Sequence, residues 1–240
     1  MNSLSILLRV FTLILIILSV SPALGQKTQS EQTGWAAWFN TYRFSPKWGM
    51  HLDVQLRSAD DWKYGRNLLV RPGLTYHIDH KQNVTAGYAL VRTYADDQVP
   101  TMRDLTEHRI WEQYIFAHKV GSFPLTHRFR VEQRFIERQM DDIFSQRLRY
   151  FARLIMPVVR QDGSFSKGPF AAVQNEVFLN LQNKDKLNSN IFDQNRAYLA
   201  AGYRFSSKLD VEVGYLNQFI KGKSNNTSNN ALQLAFYTRF

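Results

Sequence analysis

The sequence predicts an all-β protein, a transmembrane antiparallel β-barrel of ten to twelve strands, and three observations carry that prediction. Apolar and polar residues alternate with a period of two, the alternating runs are long, and the connections between them are short and long in turn. Period two places successive side chains on opposite faces of a strand. Runs of about 10 to 14 residues exceed the roughly five or six of soluble sheets and cover the about 9 to 11 that a tilted strand needs to cross a bilayer.

The first element is not a strand. Arg9 precedes an apolar run over 10–20, and the small-residue exit Ala23-Leu24-Gly25 follows it. Eleven residues fall short of the about 20 of a membrane helix, so this reads as a signal peptide cleaved near Gln26, with an uncleaved anchor as the alternative. The barrel is then one domain over residues 26–240.

Residues 35–44 form a less regular first strand. Met50, Leu52, Val54 and Leu56 then alternate with His51, Asp53, Gln55 and Arg57. Leu68, Val70, Leu74 and Tyr76 alternate with Asn67, Arg71, Thr75 and His77; Val84, Ala86, Tyr88 and Leu90 with Asn83, Thr85 and Gly87. After an irregular strand over 106–119, Phe129, Val131 and Phe135 oppose Arg128, Arg130, Glu132 and Arg134. Leu148, Tyr150, Ala152 and Leu154 oppose Arg147, Arg149 and Arg153, with Phe151 intruding on the polar side. Val173, Val177 and Leu179 oppose Gln174, Glu176 and Asn180, and Ala197, Leu199, Ala201 and Tyr203 oppose Arg196 and Arg204. Val211, Val213 and Tyr215 oppose Glu212, and Leu232, Leu234, Phe236 and Phe240 oppose Gln233 and Arg239.

These runs make about eleven strands. Bacterial single-chain barrels carry an even number with both ends on one side. The expectation is therefore a twelfth short strand hidden in 26–34, or one run too many. Connections at 45–49, 79–82 and 206–208 are short, whereas 95–104, 183–190 and 220–229 are longer and polar. Rings near strand ends, among them Trp38, Tyr42, Trp48, Tyr203 and Phe219, suit the aromatic girdles of the two interfaces.

Composition narrows the function. The chain has no cysteine, which excludes thiolate metal sites, disulfides and cysteine nucleophiles. At 14% aromatic and 44% hydrophobic it is not a disordered tail. Its net charge of +10 does not signal nucleic acid, because the arginines alternate with apolar residues instead of forming a basic helix, and export removes that partner.

The segments Gln174-Asn175-Glu176, DVQLR at 53–57, RLRYFARL at 147–154, FDQNRAYLAAGYRFS at 192–206 and VEVGYLNQF at 211–219 resemble domain-of-unknown-function family 2490. The likeness runs from about Trp35 to Phe240. It implies a small exported outer-membrane barrel and brings no established activity or catalytic residues. A terminal aromatic also resembles the signal read by barrel-assembly machinery, which makes Phe240 the candidate assembly signal.

The chemistry lies on the polar faces. If they point into the lumen, Arg57, Arg71, Arg130, Arg134, Arg147, Arg149, Arg153 and Arg196 share it with Glu132, Glu176 and Glu212. Arg128, Arg204, Arg239, Asp53 and Asp210 join the same set. Two readings follow: a stapling network of ion pairs that closes the barrel, or a narrow pore whose excess positive charge favours anions. An outer-membrane lipid- or lipopolysaccharide-modifying enzyme is the alternative from another class, with Ser58, Ser145, His108, His118 and His127 as available groups and no spacing that ties nucleophile to base. His77-Ile78-Asp79-His80 offers too few ligands for a metal site. No cofactor is expected. The expected surroundings are outer-membrane lipid, lipopolysaccharide phosphates against polar loops such as 221–230, and the assembly machinery.

Overall fold

A computed structural model describes residues 27–99, 101–159 and 165–240. The signal-peptide and cleavage expectations fall on residues outside that set. Strands β1 (Thr28–Arg43), β2 (Trp48–Ser58), β3 (Gly65–His77), β4 (Gln82–Thr93), β5 (Leu105–Val120) and β6 (Phe123–Ile136) are followed by β7 (Ile143–Pro157), β8 (Gly168–Asn180), β9 (Phe192–Ser206), β10 (Leu209–Ile220) and β11 (Asn226–Arg239). They close into one barrel in which each strand pairs with its sequence neighbours.

Eleven strands replace the expected even number, and neither expected remedy applies. Residues 28–34 are the first half of β1, so no extra strand hides there. Neighbouring strands alternate in direction, so an odd count forces the first and last to run the same way. β1 and β11 accordingly pair in parallel, from Thr28 opposite Asn226 to Thr41 opposite Arg239. Parallel pairing is slightly weaker per residue than antiparallel. Side chains reinforce this seam on both faces. Inside, Thr33 Oγ1 donates to Asn229 Oδ1 at 2.8 Å and Phe39 stacks on Tyr237 at 4.8 Å; outside, Trp38 Nε1 donates to Thr238 Oγ1 at 2.9 Å. Phe240 extends the pairing through backbone bonds to Arg43 and Thr41.

Burial sorts the two faces. Leu56, Leu74, Ile110, Phe129, Leu199, Val213 and Leu232 are exposed on the outside, while Arg71, Arg130, Glu132, Arg149 and Glu176 are buried inside. Polarity is thus inverted relative to a soluble barrel, whose apolar side chains fill the middle. Phe151 does turn inward with the arginines, under the Arg128 guanidinium at 4.5 Å.

Short connections at 44–47, 78–81, 121–122 and 207–208 lie at one end, the turn end, together with Phe240. Asp79 organises one of them by accepting the Lys81 and Gln82 amides at 2.6 and 2.8 Å. These bonds, the Lys81 amide foremost, hold its carboxyl below the usual range. The 158–167 connection departs from the expected pattern, because it is long yet shares this end. Its Phe165 packs edge-on against Phe170 and accepts Arg204 Nη1 on its carbonyl at 2.7 Å. The other five connections form the loop end. The polar stretch 221–230 is only half a loop: Asn226–Asn230 belong to β11, because Asn side chains there bond across strands, Asn217 to Asn230 at 3.0 Å and Asn229 to Thr33.

Candidate functional site

The alternation that builds the strands also delivers arginines and carboxylates to a lumen walled by apolar sheet. Unpaired charge is costly there, and several carboxylates gather more than one guanidinium. Glu132 on β6 accepts Arg147 at 2.6 Å and Arg149 at 2.5 Å from β7. Arg149 bridges onward to Glu176 on β8 at 2.7 Å, and Glu176 also takes Arg128 at 2.7 Å. Arg147 spends a second nitrogen on Asp193 at 2.9 Å. One continuous charged chain therefore ties β6, β7, β8 and β9.

Three further groups lie apart from it. Asp53 and Arg71, opposite each other on β2 and β3, pair at 2.6 Å. Arg153 on β7 reaches Glu212 on β10 at 2.5 Å, and Tyr237 donates to the same carboxylate at 2.8 Å. Near the turn end Asp210 receives Arg204 at 2.7 Å and Arg239 at 2.6 Å.

The sequence-selected residues do not all find carboxylates. Arg134 pairs at 2.6 Å with Glu107, which also binds Arg109 at 2.7 Å; neither Glu107 nor Arg109 stood out in the sequence, because the apolar run around β5 is irregular. Arg130 stands 3.9 Å from Glu132 and instead donates to Gln113 at 2.7 Å and covers the Trp111 ring at 4.4 Å. Arg57 bonds Gln55 at 2.6 Å and Arg196 bonds Gln194 at 3.4 Å. Neither has a carboxylate within ion-pair distance among the described residues. Arg57 lies 3.8 Å over the Trp35 ring, which Arg196 also approaches at 5.3 Å.

Aromatic side chains fill the rest. Trp111, Phe170 and Phe178 are almost wholly buried, and Trp111 sits against Gly73 and Gly87, where an added Cβ would fall 2.7 and 2.4 Å from its ring. Mid-lumen is packed, and a cavity of about 300 Å³ remains above it toward the loop end, lined by Arg57, Arg71, Arg109, Arg149, Phe178 and Arg196 among others.

Residues 32–229 match the family model described as Protein of unknown function (DUF2490). The chain belongs to the DUF2490 family. The matched span contains the whole Glu132–Glu176 chain and stops short of Tyr237 and Arg239. A relative within reach is an uncharacterized protein of Methylorubrum extorquens strain AM1, 26% identical over 211 residues that cover 85% of this chain and 86% of that one. No solved structure matches.

The groups considered for catalysis are dispersed in this DUF2490 barrel. Ser145 donates to the Gln182 carbonyl at 3.0 Å and Ser58 to the Ala59 carbonyl at 2.8 Å. His108 contacts Tyr88, while His118 and His127 share an Nε2···Nε2 contact of 3.1 Å on the outer face and His127 reaches Tyr150 at 2.8 Å. Among the described residues no cluster of three or more metal-ligating side chains forms.

Proposed function

We propose that this DUF2490 chain is an exported outer-membrane barrel, a non-enzymatic envelope protein whose lumen is sealed by its own arginine–carboxylate network. The observation that carries the reading is the inverted polarity: a belt of exposed Leu, Ile, Val and Phe around a charged, packed interior. In water such a belt is a large unprotected apolar patch, whereas in lipid it is the favourable face. Strands of 11 to 16 residues are long enough to cross at a tilt.

The ends support placing the bilayer between them. Each of the five turn-end connections has a lysine in it or beside it, Lys47, Lys81, Lys119, Lys167 and Lys208, next to the rings of Phe44, Trp48, Tyr76 and Phe240. Aromatic rings at headgroup level, flanked by cations that reach lipid phosphates, are the usual interface anchors. The turn end would then face the periplasm, where Phe240 is available to assembly machinery, and the loop end would face outward, within reach of lipopolysaccharide.

Sealing is favoured over conduction because the mid-lumen layer of Trp111, Phe178, Arg130 and Glu132 leaves these side chains 0–1% exposed. Residues 26–240, refolded in detergent and placed in a planar bilayer under a salt gradient, are expected to be heat-modifiable on gels and electrically silent. Stepwise anion-selective conductance would replace the sealed barrel with the pore. A chain that stays in water and ignores vesicles would overturn membrane insertion itself.

A further inference from the structure

The lumen holds more cations than its carboxylates can satisfy, and the surplus is not spread evenly. Glu176 lies directly across the β8–β9 pair from Arg196, yet it is committed to Arg149 and Arg128. Asp53, on the same strand as Arg57, is committed to Arg71. Among the described residues Arg57 and Arg196 are thus left with amide oxygens only, and the Nε atoms of Arg57, Arg196 and Arg71 are buried without a hydrogen-bond partner. Two cations without counterions near one indole ring repel each other in a medium that screens poorly.

All three of these arginines line the cavity of about 300 Å³ that opens at the loop end. Its two lining carboxylates are already engaged, Glu107 by Arg109 and Arg134 and Asp193 by Arg147. Stacking on Trp35 and Phe178 fixes guanidinium faces against rings at 3.8 and 4.7 Å, so recognition falls to their N–H edges, where Nη2 is taken by Gln55 and Gln194. Planar forks of that kind match oxyanions bidentately. At roughly 30 Å³ per water, the space holds about ten waters, the size of a small polyanion and too small for a folded chain or a lipid tail.

We infer that the cavity is a binding site for a small, soluble, multiply charged oxyanion of phosphate type, with Arg57 and Arg196 as its principal ligands. This role goes beyond the sealed-barrel reading and stands without it, because the site needs only the mouth of the lumen and no path through it. The anion would supply countercharge to both guanidinium groups, so binding should stabilise the fold.

Inorganic pyrophosphate is the probe, titrated calorimetrically into the detergent-folded mature chain at constant ionic strength. Saturable one-to-one binding is expected, with Arg57→Gln and Arg196→Gln each weakening it at least tenfold and Arg92→Gln, an exposed arginine near the end of β4, leaving it unchanged. A second readout needs no binding. Removing an uncompensated cation should hold or raise the unfolding midpoint of the ligand-free barrel in Arg57→Gln and Arg196→Gln, whereas Arg149→Gln, which breaks pairs to Glu132 and Glu176, should lower it. Pyrophosphate should also raise the wild-type midpoint above that in sodium chloride of equal ionic strength. Folded wild-type protein that shows no saturable binding, or binding that both glutamine variants retain in full, overturns the assignment.

Discussion

Glu132 is the most heavily used single residue of the lumen. It is wholly buried and takes Arg147 and Arg149 at 2.6 and 2.5 Å, with Arg130 and Arg109 next at 3.9 and 4.0 Å. Breaking one side of a buried pair leaves its partners charged and unsolvated, a loss of about 3–5 kcal/mol. Glu132→Gln should therefore lower the stability of the folded barrel by about that amount in urea titrations followed by gel mobility. A change below about 1 kcal/mol would mean water reaches this layer and screens it. The residue was legible as a polar-face carboxylate between Val131 and Gln133 in β6. Its partners were not, because an arginine side chain can reach its own strand, the next or the one beyond, and Arg128, two strands from Glu176, does the last.

Strand by strand, the period-two pattern located the elements well wherever one face meets apolar surroundings and the other charge. It failed where both faces are polar. Residues 28–34 and 226–230 carry Thr, Gln, Ser and Asn on either side, so they read as loop, yet they form the loop-end halves of the two seam strands. Their cohesion comes from cross-strand amide and hydroxyl bonds, which leave no hydrophobic period. Because the chain has no native cysteine, the parallel register can be checked directly. Ala36 and Leu234 are opposite each other on the outer face of the seam, and neighbouring strands lie about 4.8 Å apart, within disulfide range. The double variant Ala36→Cys with Leu234→Cys should cross-link on mild oxidation and shift on a denaturing gel, while Ala36→Cys with Thr227→Cys, far apart in register, should not. Equal cross-linking in both would refute the seam. At the loop end, the 94–104 connection is tied down by Asp104, which accepts the Ala95 amide at 3.0 Å and Arg92 at 3.1 Å. Those bonds hold its carboxyl below the usual range.

At the scale of the whole molecule, the barrel separates its tryptophans by face. Trp111 is wholly buried in the lumen, whereas Trp38 and Trp48 are exposed on the outer wall. In vesicles of brominated lipid, a variant retaining only Trp38 should lose most of its fluorescence to quenching and one retaining only Trp111 should keep it. The reverse ranking would turn the barrel inside out. The sequence by itself determined the two-faced strands, the charged face and the family, since residue alternation is a local property that one chain segment carries alone. Tertiary structure decided the odd strand count with its parallel seam, the sharing of Glu132 and Glu176 among several guanidinium groups, and the two arginines left over at the loop-end cavity. Those features depend on how strands stagger around a closed circumference and on which side chains then meet across the lumen, a geometry fixed only when the last strand finds the first.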